Sequence, residues 1–484
     1  MRQWSRLAYT TLMLFTLLLA ACGGSGNVQQ QIVLKISDYS PEQKAFHAAV
    51  ATEYHRLHPD ITIQWQSITQ AQYLQSLPLA FQSHQSADIF YYISPTAAQF
   101  TMSFLLSQQW IRPLDPNGNV PQSFLSRWPS GLFQDGINIH NGVVYGFPFT
   151  DNVIWGAGYM FYNKSMFQQA GLNPSTPPTT WSQLKSDCEA IKAKTGKYCL
   201  AVPMKDTDFQ RLWFPIAGSI MTDQFFDYKH GTFDLNNPLL LQAFDFIQSL
   251  YREGLIAPGI NDKNFSRQQM ASGQTAMYFD GTWMPSVFKQ LGFTEDQYEI
   301  APPPYPDNGP HGAESIMNTE NKYWVSSQTK YPQQAWDFIQ WMTDPNGFFA
   351  KNYLKGGFGT LAYVDNVKLQ NDPALQTMEK IATSGLRVVY PEPLLKCHDI
   401  GKSQAYQKAA SLHPNWEWQV MVDALVNNKP LQPAADQLVA ARQKVLTDTL
   451  QQEAASGLHV STDCFTFSNW NYDQNYNASD YPQG

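Results

Sequence analysis

Apolar residues recur along this chain with two periods, and the two alternate. "QIVLKIS", Gln31 to Ser37, predicts a strand, and "DYSPEQ" then reads as a turn. Phe46, Val50, Tyr54 and Leu57 follow at helical spacing until "HPD" stops the helix. "ITIQW" alternates again as a strand. A helix from Tyr73 to Gln82 comes next, with Pro78 expected to kink it, and "ADIFYYI" is a short apolar run of the buried-strand kind. Strands alternating with helices in this way predict an α/β fold with mostly parallel sheets flanked by helices.

The same grammar returns later. "NNPLLLQAFDFIQSLYREGL" offers an Asn cap, Pro238 in the first turn, an apolar face through Ala243, Phe246, Ile247 and Leu250, and a stop at Gly254. "PQQAWDFIQWMTDP" and "PAADQLVAARQKVLTDTLQQEA" are two further amphipathic helices. Between them and the earlier elements lies "TAMYFDGTWM", an apolar run ending in a turn that presents Trp283 at a strand's end. The terminal "NWNYDQNYNASDYPQG" is polar and aromatic, and is expected to fray.

A chain of 484 residues with 43% hydrophobic composition can bury two cores. Its net charge of −8 leaves no basic stripe to displace counterions, which excludes a nucleic-acid partner. The N-terminus stands apart from the fold. Arg2 and Arg6 precede "LAYTTLMLFTLLLA", an apolar run too short to span a membrane comfortably, and "LAAC" ends it at Cys22. That ending resembles the bacterial lipobox, in which the cysteine is lipidated and becomes the first residue; ordinary secretory cleavage is the alternative. Residues 1–21 are then a lipoprotein signal peptide, and "GGSGNVQQ" within 22–30 a flexible tether. The four other cysteines, Cys188, Cys199, Cys397 and Cys464, allow three pairings in an oxidising compartment. Short separation favours Cys188–Cys199, and elimination leaves Cys397–Cys464. Four reduced, buried thiols are the alternative. No CxxC or paired HxxxH suggests a metal, and no cofactor is implied.

Several segments occur together in a telling order: "ADIFYY", "YGFPF", "YNKSMFQQAGL", "PPTTWSQL", "ASGQTAMYFDGTWM" and "YPQQAWDFIQWMTDP". In this order they resemble extracellular solute-binding proteins of family 1, the sugar-type receptors of ABC importers. The resemblance runs from about Gln31 to Gln452. It implies a periplasmic-binding-protein type II fold: two α/β lobes joined by hinge segments, with a small solute clamped between them. Lobe one would hold 31–149 and 301–344, and lobe two 150–300 and 345–484, with "APPPYPDNGP" as a crossing. The chain departs from the pattern at "GGFGTLAY", which lacks the family's proline, at Pro78, and in its longer C-terminal portion.

A sugar presents C–H-rich faces and a rim of hydroxyls, so its site stacks aromatic rings and offers carboxylates or amides. On the family's motif Trp283 is the stacking candidate, with a core plug as the alternative. Trp213 corresponds by position to a cleft aromatic of lobe two, and Asp151 to a carboxylate at the first crossing that contacts hydroxyls; a cap or hinge role is open for Asp151. Tyr92 ends the "DIFYY" strand, where open sheets place ligand contacts, although core packing suits it better. Tyr39 and Ser40 occupy the first strand-to-helix loop. Asp280 and Glu314 are further acids that could face the cleft, whereas Asp88 reads as the support of its own loop.

The implied function is the substrate-binding lipoprotein of an ABC importer, a monomer that takes a mono- or oligosaccharide and delivers it to permease subunits from a membrane anchor. A polyamine receptor would cage a cation with the same residue types. A sugar-phosphate receptor would want an arginine at the cleft, and Arg211 lies close to Trp213 in sequence. A secreted glycoside hydrolase needs two carboxyls flanking one bond, and no local pair, GxSxG, HExxH or P-loop motif marks an enzyme. Cys22→Ser is expected to leave solute binding intact while moving the protein from the membrane fraction to the soluble one, since the acyl chains supply anchoring at about 0.8 kcal/mol per CH₂.

Overall fold

Two four-stranded sheets carry the architecture in a computed structural model. It describes residues 31–93, 101–130, 132–151, 158–218, 225–309, 314–316, 321–369, 372–384, 387–413 and 416–482. The leader, Cys22 and the tether lie outside those residues.

In the first sheet the strand Ile32–Asp38 pairs in parallel with Ile61–Ser67 along its whole length, from Ile32↔Ile61 to Asp38↔Ser67. It also pairs in parallel with Ile89–Tyr91, whose other edge carries Tyr323–Val325 antiparallel. Alternation does what the pattern requires: Leu34 and Ile36 are buried, and Lys35 is exposed. The helix Lys44–Leu57 lays Phe46, Val50 and Tyr54 on this core, while Leu57 at its end stays 44% exposed.

The second sheet has the order Tyr298–Ala301, Tyr159–Asn163, Thr275–Asp280, Tyr198–Leu200. Only its Thr275–Asp280 and Tyr198–Leu200 pair is parallel; Tyr159–Asn163 runs antiparallel to both neighbours. The expectation of mostly parallel sheets therefore holds for the first sheet and fails for the second. The reason lies in the pattern itself. Tyr159–Asn163 and Thr275–Asp280 are buried at every position, and a strand buried on both faces carries no sign of its direction.

Helices wrap this sheet with the caps the sequence announced. Asn237 accepts from Leu239 N–H at the start of Pro238–Arg252, and Thr180 accepts from Gln183 N–H at the start of Trp181–Thr195. The two helices meet where Trp181 stacks on Phe246, centroids 4.9 Å apart. The crossing at 301–310 is fastened to this lobe: Trp181 N–H donates to Tyr305 O at 2.8 Å, and Ser182 donates to Asp307 Oδ2 at 2.8 Å.

The packing corrects the lobe-one boundary at 344. Phe349, Ala350, Tyr353, Leu354, Leu361 and Tyr363 share the core of the first sheet. The cause is the apolar face of helix Phe348–Lys355, which sets Phe349 5.0 Å from Phe46, with Phe358 behind it at 5.2 Å. The chain rejoins lobe two at helix Pro373–Ser384, where Leu375 and Met378 pack beside Tyr159, Phe161 and Tyr278.

A third cluster collects the C-terminal portion: Tyr390, Leu394, Tyr406, Leu446, Leu450, Phe465 and Trp470, together with Phe226 and Phe233. Both expected disulfides form. The Cα atoms are 4.9 Å apart for Cys188–Cys199 and 5.6 Å for Cys397–Cys464, within bridging range. The tail does not fray, contrary to expectation. Trp470 is 1% exposed and meets Tyr390 at 4.7 Å, Tyr472 OH donates to Asp227 Oδ1 at 2.8 Å, and Glu392 N–H donates to Tyr481 OH at 2.8 Å. Large aromatic faces bury enough area to order a polar segment. Among the described residues no helix is long and apolar enough to cross a membrane.

Trp470→Ala is expected to lower folding stability by about 3–5 kcal/mol through the cavity it leaves. A denaturant melt that shifts by less than about 0.5 kcal/mol, the range for loose surface positions, would restore the frayed tail.

Candidate functional site

The strand Thr275–Asp280 ends at a corner, Gly281–Thr282–Trp283, from which the helix Met284–Gln290 departs with Pro285 in its first turn. Trp283 caps that helix and is half-buried, packing on the small core around Tyr159, Phe288 and Met378. Its ring folds over Gly281, where a Cβ would collide with the indole. Glycine is therefore required beneath the ring by close approach. Trp283 is not the fully enclosed core plug that was the alternative.

Asp280, next to this corner, is 3% exposed. Its Oδ2 accepts from Arg267 Nη2 at 2.8 Å, Arg267 Nε at 3.1 Å and Tyr278 OH at 3.0 Å, and its Oδ1 accepts from Gly281 N–H at 3.0 Å. Arg211 Nε lies 3.3 Å from Oδ1, and Arg211 Nη1 donates to Asp208 at 2.7 Å. Burial alone would raise the Asp280 pKa; the Arg267 and Arg211 guanidiniums outweigh it and hold the carboxyl below its ordinary value. Lys263 completes the group. Burial, with Arg211 beside it, lowers its pKa to about 8.

Lobe one meets this face at three places. Lys263 Nζ donates to Gln70 Oε1 at 3.3 Å, at the start of the lobe-one helix Gln70–Gln82. Gln290 Nε2 donates to Glu42 O at 3.3 Å, in the loop after Ile32–Asp38. Desolvation raises the Glu42 carboxyl above its usual range, with Arg267 and Lys263 pulling it back. At the third place "GGFGT" closes on the Trp283 corner. Gly357, at φ +66°, would put a Cβ 3.3 Å from Ser286 N, and Gly359 would put one 3.6 Å from Thr282 Oγ1. The strand end, the charged group and the glycine loop thus converge on one junction between two lobes.

The model of the bacterial extracellular solute-binding protein family matches residues 37–347 of this chain. The chain belongs to that family. A putative binding protein of Brucella abortus (strain 2308) is 24% identical over 332 residues, 67% of this chain and 74% of the relative. The fold is that of an ABC transporter solute-binding protein from Thermotoga lettingae bound with α-D-tagatose, at TM-score 0.66, 17% identity, and 86% and 100% of the two chains covered. It is likewise that of the GacH receptor of Streptomyces glaucescens, solved with acarbose, at TM-score 0.64, 17% identity, and 86% and 98% covered. The protein is an extracellular solute-binding protein of an ABC transporter, working with permease subunits on a small solute. The family is one of binding proteins, which disposes of the hydrolase.

The other predicted residues fall in several places. Tyr39 is half-buried beside the junction, its ring 4.4 Å from Tyr91 and 5.6 Å from Tyr73; Ser40 N–H donates to Asp38 Oδ1 at 3.1 Å. Asp151 is half-buried at the first crossing, with Asn366 Nδ2 donating to its Oδ2 at 3.1 Å and Thr360 to its carbonyl at 3.2 Å. That is the hinge role left open for it. Tyr92 is 8% exposed and stacks on Phe104 at 5.6 Å, and burial raises its hydroxyl to about 12. Trp213, expected in the cleft, is instead 0% exposed in the lobe-two core against Phe225, because its helix turns its apolar face inward. Asp280 is held inside lobe two by its two arginines rather than offered to a solute. Glu314 lies in the strand Glu314–Ile316, beside Arg387; its side chain is outside the described residues. Asp88 supports its own loop, accepting from Lys35 N–H at 2.8 Å and Thr329 at 2.5 Å.

Sequence reasoning missed Glu42, Gln70, Lys263 and Arg267. One signal was available: Lys263 and Arg267 stand four apart in a helix capped by Asp262, hence on one face. Asp280→Asn is expected to cost about 3–5 kcal/mol of stability, because it leaves two guanidiniums buried without their partner. The wild-type carboxylate contributes fully above its unfolded pKa of about 3.9, and that contribution is lost as pH falls through its lower folded value. Denaturant melts from pH 5 to 2 should show this acid limb in the wild type and its absence in the variant.

Proposed function

We propose that the solute is a neutral mono- or oligosaccharide held between the lobes, with Trp283 as its stacking platform and Tyr39 and Ser40 facing it from lobe one. The observation that carries this reading is the half-burial of Trp283 at a strand end beside the lobe junction: one indole face packs on protein at a place that a second lobe approaches. Tagatose and acarbose in two proteins of the same fold support it. A polyamine fits poorly, since Arg211, Lys263 and Arg267 outnumber Asp208 and Asp280 on the lobe-two face. A sugar phosphate is the second reading. Arg211 and Arg267 are already paired with carboxylates, but the Lys263 ammonium donates to the neutral Gln70, which leaves its charge available to a phosphate. Lipidation at Cys22 would keep the receptor at the membrane beside its permease.

Titration calorimetry against sugars, polyamines and sugar phosphates decides among these, and binding of a polyamine alone would sink the proposal. Trp283→Ala is expected to weaken binding of the titrated sugar by about 1–3 kcal/mol, or roughly ten- to a hundredfold. Stability should fall by less than the about 3–5 kcal/mol of a core tryptophan, because the ring packs on one side. Unchanged affinity would remove Trp283 from the site.

A further inference from the structure

The C-terminal portion lies beyond the matched residues 37–347, and its contacts reach both lobes. Its root is in lobe two. The helix Gln432–Ala455 places Ala435 and Leu438 in the lobe-two core and Leu446 and Leu450 in the C-terminal cluster. Cys397–Cys464 ties the segment 387–402 to that root, and Lys396 Nζ reinforces it by donating to Asp463 O at 2.6 Å and Thr466 O at 2.7 Å.

The other end rests on lobe one. Leu394 sits so close over Gly136 that a Cβ there would lie 2.8 Å from its Cδ2, at a backbone φ of +80°. Ile137 leaves its own lobe's core and is buried in the C-terminal cluster. The loop that presents them is firmly part of lobe one. Asn138 is fully buried, Asn138 Nδ2 donates to Leu132 O at 3.0 Å, and Phe133 meets Trp128 at 5.3 Å. Asn321, just before the strand Tyr323–Val325, donates to Ile137 O at 3.0 Å. Beside this contact the lobe-one helix Thr101–Ser107 approaches the turn His398–Lys402, and Arg387–Val389 pairs in parallel with Glu314–Ile316.

We propose that residues 387–402 form a strap, pinned to lobe two by Cys397–Cys464 and seated on lobe one through Leu394, that restrains the separation of the lobes in the solute-free protein. A hinged pair of lobes can move only as far as contacts outside the hinge allow. Here one contact is apolar and packed, and its lobe-two end is covalently fixed. The strap requires the two-lobed fold and is independent of what the solute is, so a failed sugar titration leaves it standing.

The test uses the full mature chain without solute, carrying one spin label in each lobe. Pulsed electron resonance then reads the interlobe distance in the wild type, in Leu394→Ala and in the Cys397→Ser/Cys464→Ser double variant. The strap gives longer and broader distributions in both variants, with an open population raised about tenfold, while far-ultraviolet circular dichroism stays native. Distances identical to wild type in a folded variant overturn it. If the cysteine variant fails to fold, Leu394→Ala, which keeps the disulfide, decides. Hydrogen exchange of the unlabelled wild type is the second reading: the 134–139 and 387–402 amides should open as one unit, and independent opening counts against the strap.

Discussion

A carboxylate taken out of water organises the lobe-two face. Leaving Asp280 alone in the interior would be prohibitively unfavourable, so two guanidiniums, a tyrosine hydroxyl and a backbone amide converge on it. Each partner arrives on a different piece of chain. Arg267 brings the helix Lys263–Ala271, Arg211 brings Gln210–Ala217, and Gly281 N–H fixes the turn that carries Trp283. One buried charge therefore sets the positions of two helices and the corner they flank. The cost of disturbing it is what gives the corner its fixed geometry.

Lobe one ends its first strand in the same manner with different chemistry. Asp38 is fully buried and accepts from Trp65 Nε1 at 2.9 Å, Tyr323 OH at 3.3 Å, the Ser67 hydroxyl and Ser40 N–H. His47 stands 3.5 Å away, stacked on Trp65, and burial lowers its pKa to about 4, with Asp38 opposing, so it is neutral at physiological pH. Lobe one thus satisfies its carboxylate with neutral donors and lobe two with cations. The two faces that meet at the junction are unequal in charge, and a neutral, hydroxyl-rich solute suits that pairing better than a polycation.

Much of this was legible in the sequence because capping and amphipathicity are local. Asn237, Thr180 and Asp262 cap the helices they precede, and Phe46, Val50 and Tyr54 face the core that their spacing implies. What escaped is non-local. Tyr159–Asn163 is apolar throughout, so its sequence records burial and not direction. Residues 349–363 return to lobe one because Phe349 and Phe358 find Phe46, three hundred positions earlier in the chain. The tail orders because Trp470 finds Tyr390. At the site, motif order placed Trp283 correctly at a strand end, but Trp213 sits on a helix whose inward face no motif reports. Arg267 and Asp280 could be joined only by the fold.

The contacts between the lobes differ in strength according to where they lie. At the junction Lys263–Gln70 and Gln290–Glu42 are single hydrogen bonds of 3.3 Å with at least one exposed or half-buried partner, each worth on the order of 0.5–1.5 kcal/mol net. At the hinge side Asp151 is held by Asn366 and Thr360, and Gly357 lets backbone meet backbone beside Ser286. Two weak bonds cannot hold a pair of lobes together against the freedom of separating, so the junction can open while the hinge stays packed. A solute that touches both faces adds the missing free energy only when they meet. Its differential affinity for that state then sets how far the population shifts. Weak junction contacts are what make solute binding, rather than the fold itself, the term that governs the lobes' approach.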